Sequence, residues 1–171
     1  MQKWFNRWHG KQQDIKRTLR DSYIHRILGE HIFHHHIWAL DRNSVAGGLS
    51  LGLFVAFTPT IPFQMLFCAV LAIFLRINLP VSLAACWITN PITALPIYLA
   101  ARNLGRYFLL NSSLGEFALS LFNLESKSGK FVEQSLYLWT GSLVFSVLSA
   151  LVGNAVVRLA WYLYHRLKGK Q

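Results

Sequence analysis

Pro59 and Pro62 stand inside a stretch that is otherwise apolar from Val45 to Leu75. Proline removes a backbone donor and clashes with the preceding helical turn. As one helix, residues 45–75 would extend about 46 Å, well beyond the roughly 30 Å of bilayer hydrocarbon. Split at Thr58-Pro59-Thr60-Ile61-Pro62, the stretch becomes two pieces of about 21 Å each, too short to cross separately. That pattern predicts a re-entrant hairpin or a discontinuous helix.

Two further apolar runs follow. Residues 80–101 repeat the design, with Thr89-Asn90-Pro91 and then Pro96, and are expected to cross once with a kink. Residues 136–160 contain no proline and read as a regular spanning helix. Along that helix Ser142, Ser146 and Ala150, and again Ser149 and Gly153, recur at four-residue spacing, so another helix can approach closely. Only 14% of the residues are charged, against about 25% in ordinary globular domains. Residues 102–135 read as a loop holding a short interfacial helix at 114–124, started by a capping box of Ser113 and Glu116. The fold class is therefore an all-α integral membrane protein.

The net charge of +10 arises from 17 Lys+Arg against 7 Asp+Glu. A basic balance points to nucleic acid or to anionic lipid. Here the charge flanks the apolar runs: Lys3, Arg7, Lys11, Lys16, Arg17, Arg20, Arg26 and Arg42 precede them, and Arg158, Arg166, Lys168 and Lys170 close the chain. This placement selects the anionic membrane surface over nucleic acid. Residues 1–43 form a basic amphipathic segment with Ile15, Leu19, Ile24, Ile27, Leu28 and Ile32 at helical spacing. Trp4, Trp8 and Trp38 are the rings expected at headgroup depth. A soluble amphipathic helix packed on the rest of the protein is the alternative. The membrane domain spans 44–165, and 166–171 is a basic tail. No cleavable leader precedes position 45, so the first apolar run is expected to direct insertion. The bias of Lys and Arg places both termini in the cytoplasm, with a hairpin at 45–75 and crossings at 80–101 and 136–160.

The two breaks are the candidate site. Helix-breaking residues at membrane depth are tolerated where freed backbone groups find protein partners or face a watery cavity. Thr58, Pro59, Thr60, Pro62 and Gln64 surround the first break; Thr89, Asn90, Pro91 and Thr93 form the second. Two interrupted segments in succession point to a binding site between transporter-like repeats; the plain alternative is a pair of kinks. Arg76, Asn78 and Arg102 flank the second run. They either snorkel to the headgroups or clamp a phosphate, which Arg bonds in bidentate fashion. Gly48 and Gly52 make a G-x-x-x-G face for packing within the monomer, against residues 136–160, or across a homodimer, and Ser146 and Gly153 offer the matching small surface.

His25, Glu30, His31, His34, His35 and His36 invite a metal reading, but H-E-x-x-H is absent and no third ligand is placed, so a titratable interfacial patch is expected and no cofactor or metal is assigned. Cys68 and Cys86 lie in apolar runs and act as small hydrophobes. No nucleophile elbow, phosphate loop or carboxylate pair is visible, and the acidic residues all lie outside the apolar runs, which argues against an enzyme and against a proton-coupled pump.

The strings SVAGGLSLGLFVAFTPTIPFQM, LRINLPVSLAACWITNPITALPIYLAARNLG and LWTGSLVFSVLSAL resemble a bacterial membrane family, domain of unknown function 2062, from about residue 25 to 165. The resemblance rests on F-x-P-x-x-P-F-Q-M at Phe57 to Met65, R-x-N at Arg76 to Asn78, and W-I-T-N-P-x-T at Trp87 to Thr93 with Gly105 beyond. The chain departs from it at Leu95-Pro96, where two adjacent prolines are common. The resemblance implies a small inner-membrane protein, joined in some relatives to glycosyltransferase-like domains. Two functions follow as expectations: a polar pocket at the breaks that binds or translocates a lipid or isoprenoid-phosphate ligand, or a non-catalytic anchor for an envelope-glycan enzyme.

Overall fold

The computed structural model describes residues 35–121 and 126–168, and every regular element among them is helical. A 3-10 turn at His35–Trp38 leads into α1 (Arg42–Phe57), α2 (Gln64–Phe74), α3 (Leu79–Cys86), α4 (Ala94–Leu110), α5 (Ser113–Ser120) and α6 (Lys127–Lys168). The predicted amphipathic helix, with His25, Glu30, His31 and His34, lies outside the described residues up to position 34. Trp38, expected at headgroup depth, is instead buried in the protein beside Ile37.

Local chemistry sets the ends of each helix. The Asp41 carboxylate accepts from the backbone N–H groups of Asn43 (3.0 Å) and Ser44 (3.1 Å), capping α1. At the other end Thr58, which precedes Pro59, is extended at φ −79°, ψ 139°, as a pre-proline residue prefers. The R-x-N motif turns out to be two caps in succession. Arg76 takes the left-handed conformation (φ 54°), its N–H donates to Ile73 O (3.2 Å), and the Ile77 N–H donates to Ala72 O (3.1 Å). This is a Schellman motif with arginine where glycine is usual. Asn78 then caps α3, accepting from the Val81 N–H (2.9 Å), with Pro80 in the first turn, where a missing N–H costs nothing.

Two sequence expectations change here. Residues 80–101 form two helices separated by a full break, and Pro96 belongs to the unbonded first turn of α4, so it neither bends nor ends a helix. Residues 102–135 are mostly helical: α4 runs on through Arg102 to Leu110, because no breaker occurs before Asn111-Ser112, and α6 begins at Lys127, with Ser126 accepting from the Gly129 N–H (3.0 Å). An apolar-run criterion sees only the part of a helix that is apolar. The short helix between them is capped by Ser112, one residue before the expected Ser113.

α1 and α4 lie end to end along opposite halves of α6, both antiparallel to it. On one half, Asn154 donates to Ser50 (3.1 Å) and the Phe57 ring meets Phe145 at 6.1 Å. On the other, α4 and α6 cross at two glycines: a Cβ on Gly105 would overlap the Tyr137 carbonyl, and one on Gly141 would overlap that of Ala101. α3 runs parallel to α1 in close contact, where a Cβ on Gly48 would sit 2.6 Å from Asn78 O and one on Gly52 would sit 2.5 Å from the Ala85 Cβ. The G-x-x-x-G face therefore packs on α3, not on residues 136–160. The third run meets α1 through Gly153, set against Leu49 and Leu53, while Ser146 is buried and returns its hydroxyl to Ser142 O (2.7 Å).

α2 completes the arrangement. It starts at the first break and ends before Ile77, which touches Gly47, so the chain turns back beside α1. Asn78 N–H then reaches Ser44 O (3.2 Å), α3 descends again to the second break, and α4 continues in the same direction. Leu51, Val55, Cys68, Ala72 and Cys86 form the small core where α1, α2 and α3 meet.

Candidate functional site

Breaking a helix strands its last carbonyls and the first N–H groups of the next helix. In this fold the two breaks supply each other's partners. The Thr89 hydroxyl donates across 33 residues of sequence to the carbonyl of Ala56, near the end of α1. The Gln64 carboxamide, at the start of α2, donates to the carbonyl of Thr89 (2.8 Å). Tyr98, in the second turn of α4, donates its hydroxyl to the carbonyl of Thr58 (3.0 Å). Within the first break the Thr58 hydroxyl returns to Val55 O (2.7 Å) and lies 3.5 Å from that of Thr60.

The second break is built as an Asx turn. Asn90 Oδ1 accepts from the N–H groups of Ile92 (2.9 Å) and Thr93 (3.1 Å), while the Thr93 hydroxyl accepts from Asn90 N–H (3.0 Å) and donates to Ile88 O (2.6 Å). Pro59, Pro62 and Pro91 act through the backbone alone, by preventing helix at these positions. One acceptor is left over: Gln64 Oε1 is buried without a hydrogen-bond partner, in a residue only 7% exposed. Such an atom costs about 1–3 kcal/mol unless something donates to it.

The junction lies at a definite height on α6. Phe57, the last residue of α1, is level with Phe145. Ala101 is level with Gly141, and Ala94 precedes it by seven residues, about 10 Å of helix, which brings the start of α4 level with about residue 148. Both breaks thus sit beside the middle of the apolar stretch of α6.

Of the predicted residues, the structure brings together Thr58, Thr60, Gln64, Thr89 and, locally, Asn90 and Thr93. It separates Arg76 from Arg102. Arg76 is exposed at the level of Ser44, whereas Arg102 donates to Gln134 next to the Gly105–Gly141 crossing, about 30 Å away along α6. The two arginines do not form one clamp. Asn78 is fully buried and its carboxamide is engaged at both ends, by Val81 N–H and by Ala39 O (2.7 Å). Tyr98 is the residue the sequence reading missed. A phenol hydroxyl inside an apolar run needs a partner when buried, and that requirement was the available signal. Among the described residues no group of three or more His, Cys, Asp or Glu side chains is gathered that could hold a metal ion.

α6, at 42 residues, is long and apolar enough to cross a membrane, and only 11% of its most apolar stretch is buried against the rest of the protein. A core helix of a water-soluble protein would be mostly covered. No curated protein and no solved structure matches the chain. Residues 25–170, which include both breaks, the R-x-N turn and the Gly105–Gly141 crossing, match the family described as uncharacterized protein conserved in bacteria, and the chain belongs to that family, DUF2062.

Proposed function

We propose that this chain is a multi-pass protein of the bacterial cytoplasmic membrane, and that the junction of its two broken segments binds or passes a lipid-type ligand, such as an isoprenoid phosphate, without covalent chemistry. The observation that carries this reading is the convergence of both breaks at mid-height of α6, with Gln64 Oε1 left as an acceptor for a ligand hydroxyl. Broken helices at mid-membrane, with half-helix termini meeting there, are the usual construction of transporter sites. In this reading α1 and α2 form a re-entrant hairpin, α3 and α4 a broken crossing, and α6 a second crossing.

Several features support the membrane setting. Apolar side chains cover the outer faces, among them Phe74 at 81% exposure, and lipid is the medium in which such faces are stable. Arg42, Arg76, Arg158, Arg166 and Lys168 mark one end of the bundle and Arg102, Arg106, Lys127 and Lys130 the other. The sequence before α1 is itself rich in Lys and Arg, and in this reading the excess of positive charge on the side where α1 begins and α6 ends puts both termini in the cytoplasm.

The second reading, an anchor for an envelope-glycan enzyme, is favoured by the fact that the junction's hydrogen bonds are almost all internal. One experiment separates the two. Cysteine is placed singly at Thr60 and Ile92 in a Cys68→Ala, Cys86→Ala background and treated with a membrane-impermeant thiol reagent. Labelling at both positions that falls when phosphatidic acid is added supports the ligand site. Unreactive thiols at both positions leave the anchor.

A further inference from the structure

A second feature of the molecule lies away from the junction. Near the end of α4, an open surface depression of about 340 Å³ is lined by Asn103, Arg106, Tyr107, Leu110 and Asn111, one exposed face of that helix and the residue that caps it. Arg106 lies twelve residues after Ala94, about 18 Å along the helix from the junction.

The polar groups around it differ in how far they are committed. Arg102 is held by Gln134 and by Asn103 Oδ1 (3.4 Å). Asn111 uses its Nδ2 to cap the Tyr107 carbonyl (2.8 Å), which leaves the Oδ1 as an acceptor. Glu133, a carboxylate on α6 near these arginines, accepts the Tyr137 hydroxyl (2.7 Å). Among the described residues, no hydrogen bond or ion pair engages Arg106, and no carboxylate lines the depression. The C-terminus of α4 contributes about half a negative charge here, and the positive end of α5 is offset by Glu116 in its first turn, so the attraction for an anion comes from the full charge of the Arg106 guanidinium.

We propose that this depression binds a phosphate monoester, through the planar donor fork of Arg106 and the Asn103 carboxamide, with Asn111 Oδ1 taking a neighbouring hydroxyl and Leu110 covering the apolar part of the ligand. A guanidinium bonds phosphate in bidentate fashion, which a lysine does not reproduce. The phosphate is carried by a lipid headgroup or is free in solution. This site does not depend on whether the junction opens, so its test and the thiol-labelling test fail separately.

The full chain in phosphatidylcholine nanodiscs is titrated calorimetrically with dihexanoyl phosphatidic acid and, separately, with inorganic phosphate. Saturable binding of one probe per chain is expected, weakened tenfold or more by Arg106→Gln and about threefold by Asn103→Leu, partly restored in Arg106→Lys, and changed less than twofold by Lys130→Gln. Arg106 and Asn103 are both exposed, so these variants are expected to fold. Binding of the lipid but not of inorganic phosphate assigns the lipid-borne source, and equal binding of both assigns the free anion. Equal losses in Arg106→Gln and Lys130→Gln would reduce the effect to general surface charge and overturn the proposal, as would the absence of saturable binding by either probe.

Discussion

The carboxamide of Gln64 donates to the backbone carbonyl of Thr89, and the hydroxyl of the same Thr89 donates to Ala56, so one threonine ties the end of α1 to the start of α2 across the second break. These bonds do the work that water would do at a helix end in solution. Thr89→Val keeps the shape but leaves the Ala56 carbonyl without that donor. It should lower stability in detergent by about 1–3 kcal/mol, the cost of an unmet buried polar group. Thr89→Ser keeps the hydroxyl and should lose only about 0.8 kcal/mol for the missing carbon. Thermal unfolding of the three proteins in one detergent checks this.

Gln64→Leu tests the same junction from the other side. It removes the donor to Thr89 O but also removes the unpartnered Oε1, two effects of about 1–3 kcal/mol each and of opposite sign. Near-neutral stability is expected, together with loss of the lipid-sensitive labelling at Thr60. A Gln64→Leu protein that unfolds would mean that the glutamine is there for the fold alone.

The glycines give a graded series. A Cβ at Gly105 or Gly141 meets backbone of the opposing helix, which can yield only if α4 and α6 move apart. A Cβ at Gly47 meets side chain alone, the Ile77 Cγ2 methyl at 2.9 Å and its Cβ at 3.5 Å, on a residue of the turn between α2 and α3. Gly105→Ala and Gly141→Ala should therefore each destabilise by at least the ~1–3 kcal/mol typical of overpacking, and Gly47→Ala by clearly less. Equal melting shifts for all three would contradict the tight crossing.

The same contrast marks what was legible in the sequence. Breakers act within a residue or two, so Pro59, Pro62 and Pro91 gave away both interruptions. Small residues at four-residue spacing revealed which face of α1 allows close approach, but spacing carries no information about the partner, and the partner of Gly48 and Gly52 is α3. For Arg76 and Asn78 the sequence leaves snorkelling and phosphate binding both open, because an arginine beside an apolar run has several uses. A left-handed arginine leaves no trace in composition, although Asn78 followed by Pro80 was a visible helix start. The pairing of Thr89 with Ala56 spans 33 residues of sequence and depends on how α3 packs, which no local pattern encodes.

Arg76 itself makes a prediction of opposite sign. A non-glycine residue in the left-handed region costs roughly 1–2 kcal/mol, while glycine gives back part of that through a freer unfolded chain. Arg76→Gly should raise stability by about 0.5–1 kcal/mol, and the β-branched Arg76→Val should lower it. If arginine is instead the most stable residue at this position, its side chain must hold a contact that outweighs the backbone.

The last prediction concerns the prolines. Replacing Pro59 and Pro62 with alanine removes two residues that each disfavour a helix interior by about 3 kcal/mol, so continuous helix through residues 58–63 gains up to about 6 kcal/mol. Joining α1 to α2 would, however, swing α2 away from α3. Cys68 and Ala72 would leave the core, the Gln64–Thr89 bond would break, and the turn at Arg76 would leave the level of Ser44. Met65, packed against the same core, would leave with them; at about 0.8 kcal/mol per buried carbon and about 1–3 kcal/mol for each polar group left unmet at Gln64, Thr89 and Asn78, the combined loss exceeds the gain. The packed hairpin therefore holds, and a cysteine at Arg76 should label from the side of the termini in both the parent and the double-alanine protein. Labelling that moves to the opposite side would show that the prolines alone keep α2 folded back, and that its packing on α3 is weaker than the contacts imply.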